Sequence, residues 1–149
     1  MSGGYLLDTS VISALAPGRE PHLTAPFADW LHAHDAQLFV PCITVAELAQ
    51  DISKLRRAGS AARADKLDRW LDGLIVGFGE RILALDAAAA RLAGRLSDEA
   101  AGLGRHPGFA DVAIAALAQN AGQTLLTRNI KHFEPLGVAC IDPMVRLPP

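Results

Sequence analysis

Two carboxylates and one carboxamide follow short apolar runs in this 149-residue chain, and a third carboxylate precedes one of those runs. Asp8 ends the run Gly4-Tyr5-Leu6-Leu7, and Glu47 lies one helical turn past Gln37–Val40. Asn129 follows Thr124-Leu125-Leu126-Thr127, and Asp111 sits in the first turn of the helical stretch that leads into that run. If these four converge, the carboxylates repel one another and at least one pKa rises unless a cation intervenes. Hard oxygen donors of this kind suit Mg²⁺ or Mn²⁺. Such an ion keeps several waters, binds phosphates and eases attack of water on a phosphodiester.

Each residue also has a structural reading. Asp8 can cap the helix that follows it. Thr44-Val45-Ala46-Glu47 has the capping-box spacing, so Glu47 can reach back to the Thr44 backbone. Asp111 in a first turn favours the helix dipole, and Asn129 is a good N-cap. Their placement at one predicted sheet edge is what points to shared chemistry.

That edge follows from the order of elements. Gly4–Leu7, Gln37–Val40, Arg81–Leu85, Thr124–Thr127 and Val138–Ile141 read as buried strands. Between them lie helical patterns: Thr9–Ala16, a stretch from Thr24, a helix starting at Thr44, Ala61 to about Leu74, Ala87 to about Leu103, Phe109–Ala121 and a turn over Ile130–Phe133. Strands alternating with helices predict an α/β fold around a central parallel β-sheet flanked by helices. The strands lack strict alternation, as expected when both sheet faces are covered. Ligands of such sheets bind beyond the carboxyl ends of the strands.

Composition narrows the function. The length suits a single domain, residues 1–149. With 50% hydrophobic and 20% charged residues, and a mean hydropathy of +0.21, the chain is not mainly disordered. A net charge of −2 argues against holding nucleic acid by general basicity. Lys54, Arg56, Arg57, Arg63, Lys66 and Arg69 are interspersed with Asp51, Asp65 and Asp68, the pattern of a solvated helical hairpin. Cys42 and Cys140 lie far apart in apolar surroundings and read as buried free thiols in a reducing compartment. Residues 1–10 lack a basic leader, and no run reaches the ~18 apolar residues of a membrane span. A cytoplasmic protein without membrane contact is the expectation.

Other motifs are missing. His22, His32, His34, His106 and His132 show no zinc-binding spacing, and surface or partly buried roles are expected for them. There is no GxGxxG, no GxxxxGK[ST] and no nucleophile elbow.

Taken in order, four segments resemble the motifs of PIN-domain ribonucleases: Leu6-Leu7-Asp8-Thr9-Ser10-Val11-Ile12, Ile43-Thr44-Val45-Ala46-Glu47-Leu48, Phe109-Ala110-Asp111-Val112-Ala113-Ile114-Ala115-Ala116-Leu117-Ala118, and Leu126-Thr127-Arg128-Asn129 followed by His132-Phe133. The ordered set spans nearly the whole chain. Within the family it is most similar to VapC-type toxins of toxin–antitoxin pairs, including the FitB-like branch. The resemblance implies a PIN fold and Mg²⁺- or Mn²⁺-dependent endoribonuclease activity on structured or single-stranded RNA. It makes Asp8, Glu47 and Asp111 the metal ligands, with Ser10 and Thr127 as hydroxyls supporting the site. Asn129 takes a fourth position where some relatives have aspartate, and an amide there weakens the case for a second metal. The family also implies a homodimer and a cognate VapB-like antitoxin.

Two other readings compete. One is a catalytically inactive PIN-fold interaction protein acting through dimerisation and antitoxin binding, its acids serving as caps. The other is a phosphatase or receiver-like domain, disfavoured because Thr9-Ser10 follows Asp8 where a second aspartate would be needed. For association, the apolar helix faces around Phe27, Trp30, Leu67 and Trp70 are the expected contact surfaces.

Overall fold

Five parallel strands form one sheet in the order β3-β2-β1-β4-β5. The computed structural model describes residues 3–18 and 23–149, so Met1, Ser2 and His22 lie outside the described residues. The strands are β1 (Tyr5–Leu7), β2 (Leu38–Pro41), β3 (Ile82–Leu83), β4 (Thr124–Leu126) and β5 (Cys140–Ile141). The helices are α1 (Thr9–Ala14), α2 (Ala25–Ala33), α3 (Cys42–Arg57), α4 (Ala61–Phe78), α5 (Ala87–Gly102), α6 (Phe109–Asn120) and α7 (Ile130–Phe133).

Successive strand residues point to opposite faces, and here each face has its own core. Leu6 and Leu125 turn towards α5 and α6, joining Ala93, Leu96, Ile114 and Phe133. Leu7 and Leu126 turn the other way, joining Val11, Phe27, Trp30, Leu48, Ile52, Leu67 and Leu71 from α1 to α4. This explains the unbroken apolar runs, because a strand covered on both sides has no solvent-facing positions. Helix α6 is buried continuously from Val112 to Ala118, as a helix apolar on all sides must be. Gly122, at φ 65°, ends it by adopting a left-handed turn that a side chain would resist.

The sheet order creates the site's location. From β1 the chain builds outward to β2 and β3, then returns to place β4 on the other side of β1. Tyr5, Leu6 and Leu7 pair in register with Thr124, Leu125 and Leu126. The carboxyl ends of β1 and β4 therefore adjoin where the chain order reverses, the crevice in which such sheets bind ligands.

Several expected boundaries shift. Helix α3 starts at Cys42, directly after Pro41, rather than at Thr44. Pro41 has no N–H, so it serves as a non-helical entry to the helix while its backbone still pairs with Leu83. Helix α4 continues past Leu74 through Gly77 to Phe78, because Leu74 and Phe78 still pack against the core. The third and fifth strands shrink to two residues each, Ile82–Leu83 in register with β2 and Cys140–Ile141 in register with β4. Arg56 binds Asp65 at 2.7 Å and Asp68 at 3.4 Å across the α3–α4 hairpin, in the solvated arrangement expected of that stretch.

The expected association face is overturned. Phe27, Trp30 and Leu67 are buried within the monomer, and Trp70 packs partly buried against the same cluster. They fill the space between the sheet and the α3–α4 hairpin. Among the described residues, the large apolar side chains most open to solvent are Val76, Val145, Leu103 and Phe109.

Candidate functional site

Asp8 follows β1 and is 3% exposed. Its backbone N–H continues the ladder to Leu126, and its carbonyl accepts from Val11 and Ile12 at the start of α1. The side chain does not cap that helix. Its Oδ2 accepts instead from Thr127 at 2.7 Å and from Ser10 at 2.9 Å. Ser10 Oγ in turn accepts from the Arg128 N–H at 3.0 Å, and Thr127 Oγ1 accepts from the Asn129 N–H at 2.9 Å. The two strand ends are thus stitched together around one carboxylate.

Glu47 projects from the second turn of α3. The capping box does not form: Thr44 is inside the helix and fully buried, and Glu47 Oε1 accepts from Thr9 Oγ1 at 2.5 Å. Thr9 has one hydrogen and spends it there, so the 2.9 Å contact between Thr44 and Thr9 is a donation from Thr44. Burial is the largest cause holding the Glu47 pKa above the ordinary glutamate value, opposed by the Thr9 bond and reinforced by the charges of Asp8, Asp111 and Asp51.

Asp111 stands in the first turn of α6, where Gly108 is the N-cap. Burial again raises its pKa, with the Asp8 charge adding to it, while neighbouring His132 acts in the opposite sense. His132 Nδ1 lies 3.3 Å from Asp111 Oδ2. Asn129 is the N-cap residue of α7, yet its side chain makes no capping bond and lies exposed. Its tie to the site runs through its backbone N–H.

The structure therefore brings Asp8, Ser10 and Thr127 into direct contact, attaches Glu47 through Thr9, and places Asp111 within electrostatic reach of both other acids. Thr9, Thr44 and His132 were not among the expected site residues. Thr9 could have been found as the hydroxyl between Asp8 and Ser10, and His132 as the residue one helical turn after Asn129.

The fit to a hard divalent ion can be tested on these side chains. Among the described residues, each acid spends one oxygen on a protein donor: Oδ2 of Asp8, Oε1 of Glu47 and Oδ2 of Asp111. The other oxygen of each has no protein hydrogen bond. Three half-engaged carboxylates, two with raised pKa values, are a donor set a cation would relieve. Among the described residues, however, no three His, Cys, Asp or Glu side chains are drawn together tightly enough to enclose a metal. Mg²⁺ does not require enclosure, since it keeps several waters and is commonly bound through one or two carboxylates plus substrate phosphate. The donor chemistry fits an open Mg²⁺ or Mn²⁺ site rather than a closed cage.

Residues 5–135 match the PIN domain family model. The chain belongs to the PIN-domain family. It is 36% identical over 140 residues to the plasmid stability protein StbB of Pseudomonas syringae pv. tomato, covering 93% of this chain and 96% of that one. The FitAcB crystal structure from Neisseria gonorrhoeae contains a similar chain, 29% identical with a TM-score of 0.78, covering 93% of this chain and 97% of that one. DNA-bound VapBC from Salmonella typhimurium shares the fold at 22% identity and a TM-score of 0.72, over 95% of this chain and 98% of that one. The chain is thus a PIN-domain protein similar in sequence to StbB and in structure to the FitAcB and VapBC chains, and its parallel sheet with seven helices among the described residues is the PIN architecture. No helix of the described residues is long and apolar enough to cross a membrane.

Proposed function

We propose that the protein is the Mg²⁺-dependent endoribonuclease toxin of a VapBC-like pair, cleaving structured or single-stranded RNA. The observation that carries this reading is the Asp8 carboxylate. It is buried, fixed through Oδ2 by two hydroxyls from opposite sides of the crevice, and left with Oδ1 unclaimed beside two other partly buried acids. A carboxylate needed only as a cap would not be held this way.

Asp8, Glu47 and Asp111 would hold the ion, directly or through its retained waters, and Mn²⁺ could replace Mg²⁺. When bound, it supplies positive charge that offsets the phosphodiester and eases loss of a proton from water. The chain's own part is orientation. Ser10 and Thr127 fix the rotation of Asp8, and Thr9, itself receiving a bond from Thr44, fixes Glu47. Such positioning is worth keeping because small misplacements of reacting groups cost large factors in rate. Single-stranded or loop RNA suits the site because its backbone can enter an open crevice.

The pairing seen in the FitAcB and VapBC names is carried over to this chain as a proposed VapB-like antitoxin partner, with a homodimer as the proposed toxin assembly and the cytoplasm as its compartment. The test incubates the purified protein with single-stranded RNA and Mg²⁺, then repeats it with chelator and with Asp8→Asn. Cleavage that stops in both cases supports the reading. Cleavage that survives both sinks it, and a parent that cleaves nothing yet forms a stable antitoxin complex points to the inactive interaction protein.

A further inference from the structure

Asp111 is shared between the acidic cluster and a cleft lined also by His106, Pro107, Gly108, Lys131 and His132. The cleft's character is opposite to that of the cluster. Its one carboxylate already faces His132 at 3.3 Å, while Lys131, His106 and His132 are all exposed. Among the described residues, neither Lys131 nor His106 has a hydrogen-bond or ion-pair partner, so the Lys131 ammonium is uncompensated.

The floor of the cleft has the same preference. Gly108 is the N-cap of the twelve-residue helix α6, and having no side chain it leaves the first amides of that helix uncapped. A Cβ built on Gly108 would meet nothing within 4 Å, so a ligand can approach the backbone there. Uncapped amides at a helix start attract anions. A free ammonium, two imidazoles and an open helix start therefore surround a hollow that begins at a candidate metal-binding acid.

We propose that this cleft seats the backbone phosphate next to the scissile one on a single RNA strand, with Lys131 as its main side-chain contact. The proposal rests on the nuclease reading and adds the direction in which the strand leaves the site: over the start of α6, between the 105–108 loop and α7. Lys131 then acts by binding substrate, not by holding metal.

The test measures binding, so cleavage is not its readout. Fluorescence anisotropy of a labelled single-stranded RNA is followed with the parent protein in chelator, at one neutral pH, over a series of salt concentrations. Each phosphate neutralised on a single strand contributes about 0.7 to the slope of log affinity against log salt. Lys131→Ala should lower the slope by about that amount and weaken binding roughly fivefold at low salt, and Lys131→Arg should restore both. Arg91→Ala, on α5 beside a different hollow, is the control for loss of one positive charge and should leave the slope unchanged. The proposal is overturned if Lys131→Ala keeps the parent slope, if Arg91→Ala lowers it equally, or if the parent binds no RNA.

The same variants separate this proposal from the reading beneath it. A parent that cleaves RNA with Mg²⁺ while Lys131→Ala keeps the parent slope removes the strand seat and leaves the nuclease. A parent that cleaves nothing while Lys131→Ala lowers the slope removes the nuclease and leaves the seat.

Discussion

The Thr127 hydroxyl donates a 2.7 Å hydrogen bond to Oδ2 of Asp8, joining residues 119 positions apart at the ends of neighbouring parallel strands. The same hydroxyl oxygen accepts from the Asn129 N–H at 2.9 Å. One buried side chain thus sets the rotation of the central acid and the start of the segment leading into α7.

Thr127→Val keeps the shape and removes both bonds. Leaving buried polar groups unpaired costs roughly 1–3 kcal/mol, so the urea midpoint of the metal-free protein should fall by a corresponding amount. RNA cleavage should fall further than stability explains, because Asp8 then has only Ser10 to fix it. Thr127→Ser should recover most of both. An unchanged midpoint for the valine variant would show that the pair contributes nothing to the fold.

How far the sequence foretold this site differs residue by residue. Asp8 and Asn129 were legible as strand-end residues, because a parallel sheet puts its strand ends on one edge whatever its strand order. The alternatives to a shared site were local: caps and a capping box, each inferred from neighbours within four positions. They failed for Asp8 and Glu47 because other partners competed, and for Asn129 because its side chain stays exposed and caps nothing. Thr127 and Ser10 took the Asp8 side chain, and Thr9 took Glu47. The start of α3 at Cys42 decided the second case by moving Thr44 inside the helix.

The burial of Phe27, Trp30 and Leu67 was misread for a related reason. Helical spacing shows that apolar residues share a face but not what covers it. In this fold the α3–α4 hairpin and the sheet cover that face within one chain, so it is not left for a second copy.

Stability should depend on pH in a direction set by Glu47 and Asp111. Both pKa values are raised in the folded chain, mainly by burial. At pH below the ordinary carboxyl values, both folded and unfolded chains are protonated and there is no penalty. As pH rises, the unfolded chain releases its protons first, so the metal-free fold loses stability until its own carboxyls ionise. The loss should be complete once pH has passed the raised folded values. Mg²⁺ should then raise the melting temperature more at about pH 7 than at about pH 4. Melting curves with and without Mg²⁺ across that range check this, and an equal Mg²⁺ effect at both ends would remove these carboxylates from the metal site.

Asp111→Asn separates the structural role of a first-turn acid from a chemical one. The amide keeps the shape and loses the charge that favours the helix start, a change of about 0.3–1 kcal/mol. Stability should therefore stay within about 1 kcal/mol of the parent, while RNA cleavage in Mg²⁺ should be mostly lost. Unfolding and cleavage measured on one preparation decide the matter. If Asp111→Asn cleaves RNA as well as the parent does, Asp111 is only a helix-start residue.

Asn129 is the one position of the four where an uncharged donor stands. Its side chain is exposed and caps nothing, while its backbone N–H is held by Thr127. A carboxamide can lend an oxygen to Mg²⁺ but brings no charge. Three ionised carboxylates more than compensate one divalent ion, but two ions would carry more positive charge than the three acids supply until RNA phosphate arrives. The free parent should therefore bind one ion firmly, and a second only with substrate. Asn129→Asp supplies the missing charge without disturbing a buried contact, so stability should move by no more than about 0.5 kcal/mol, the usual range for a surface change. Metal affinity should rise well beyond that of the parent. Calorimetric titration of Mn²⁺ into both proteins without RNA reads stoichiometry and affinity together. Equal affinities would place Asn129 outside the reach of the ion, and two firm ions in the parent would show that the acids hold metal without needing a fourth charge.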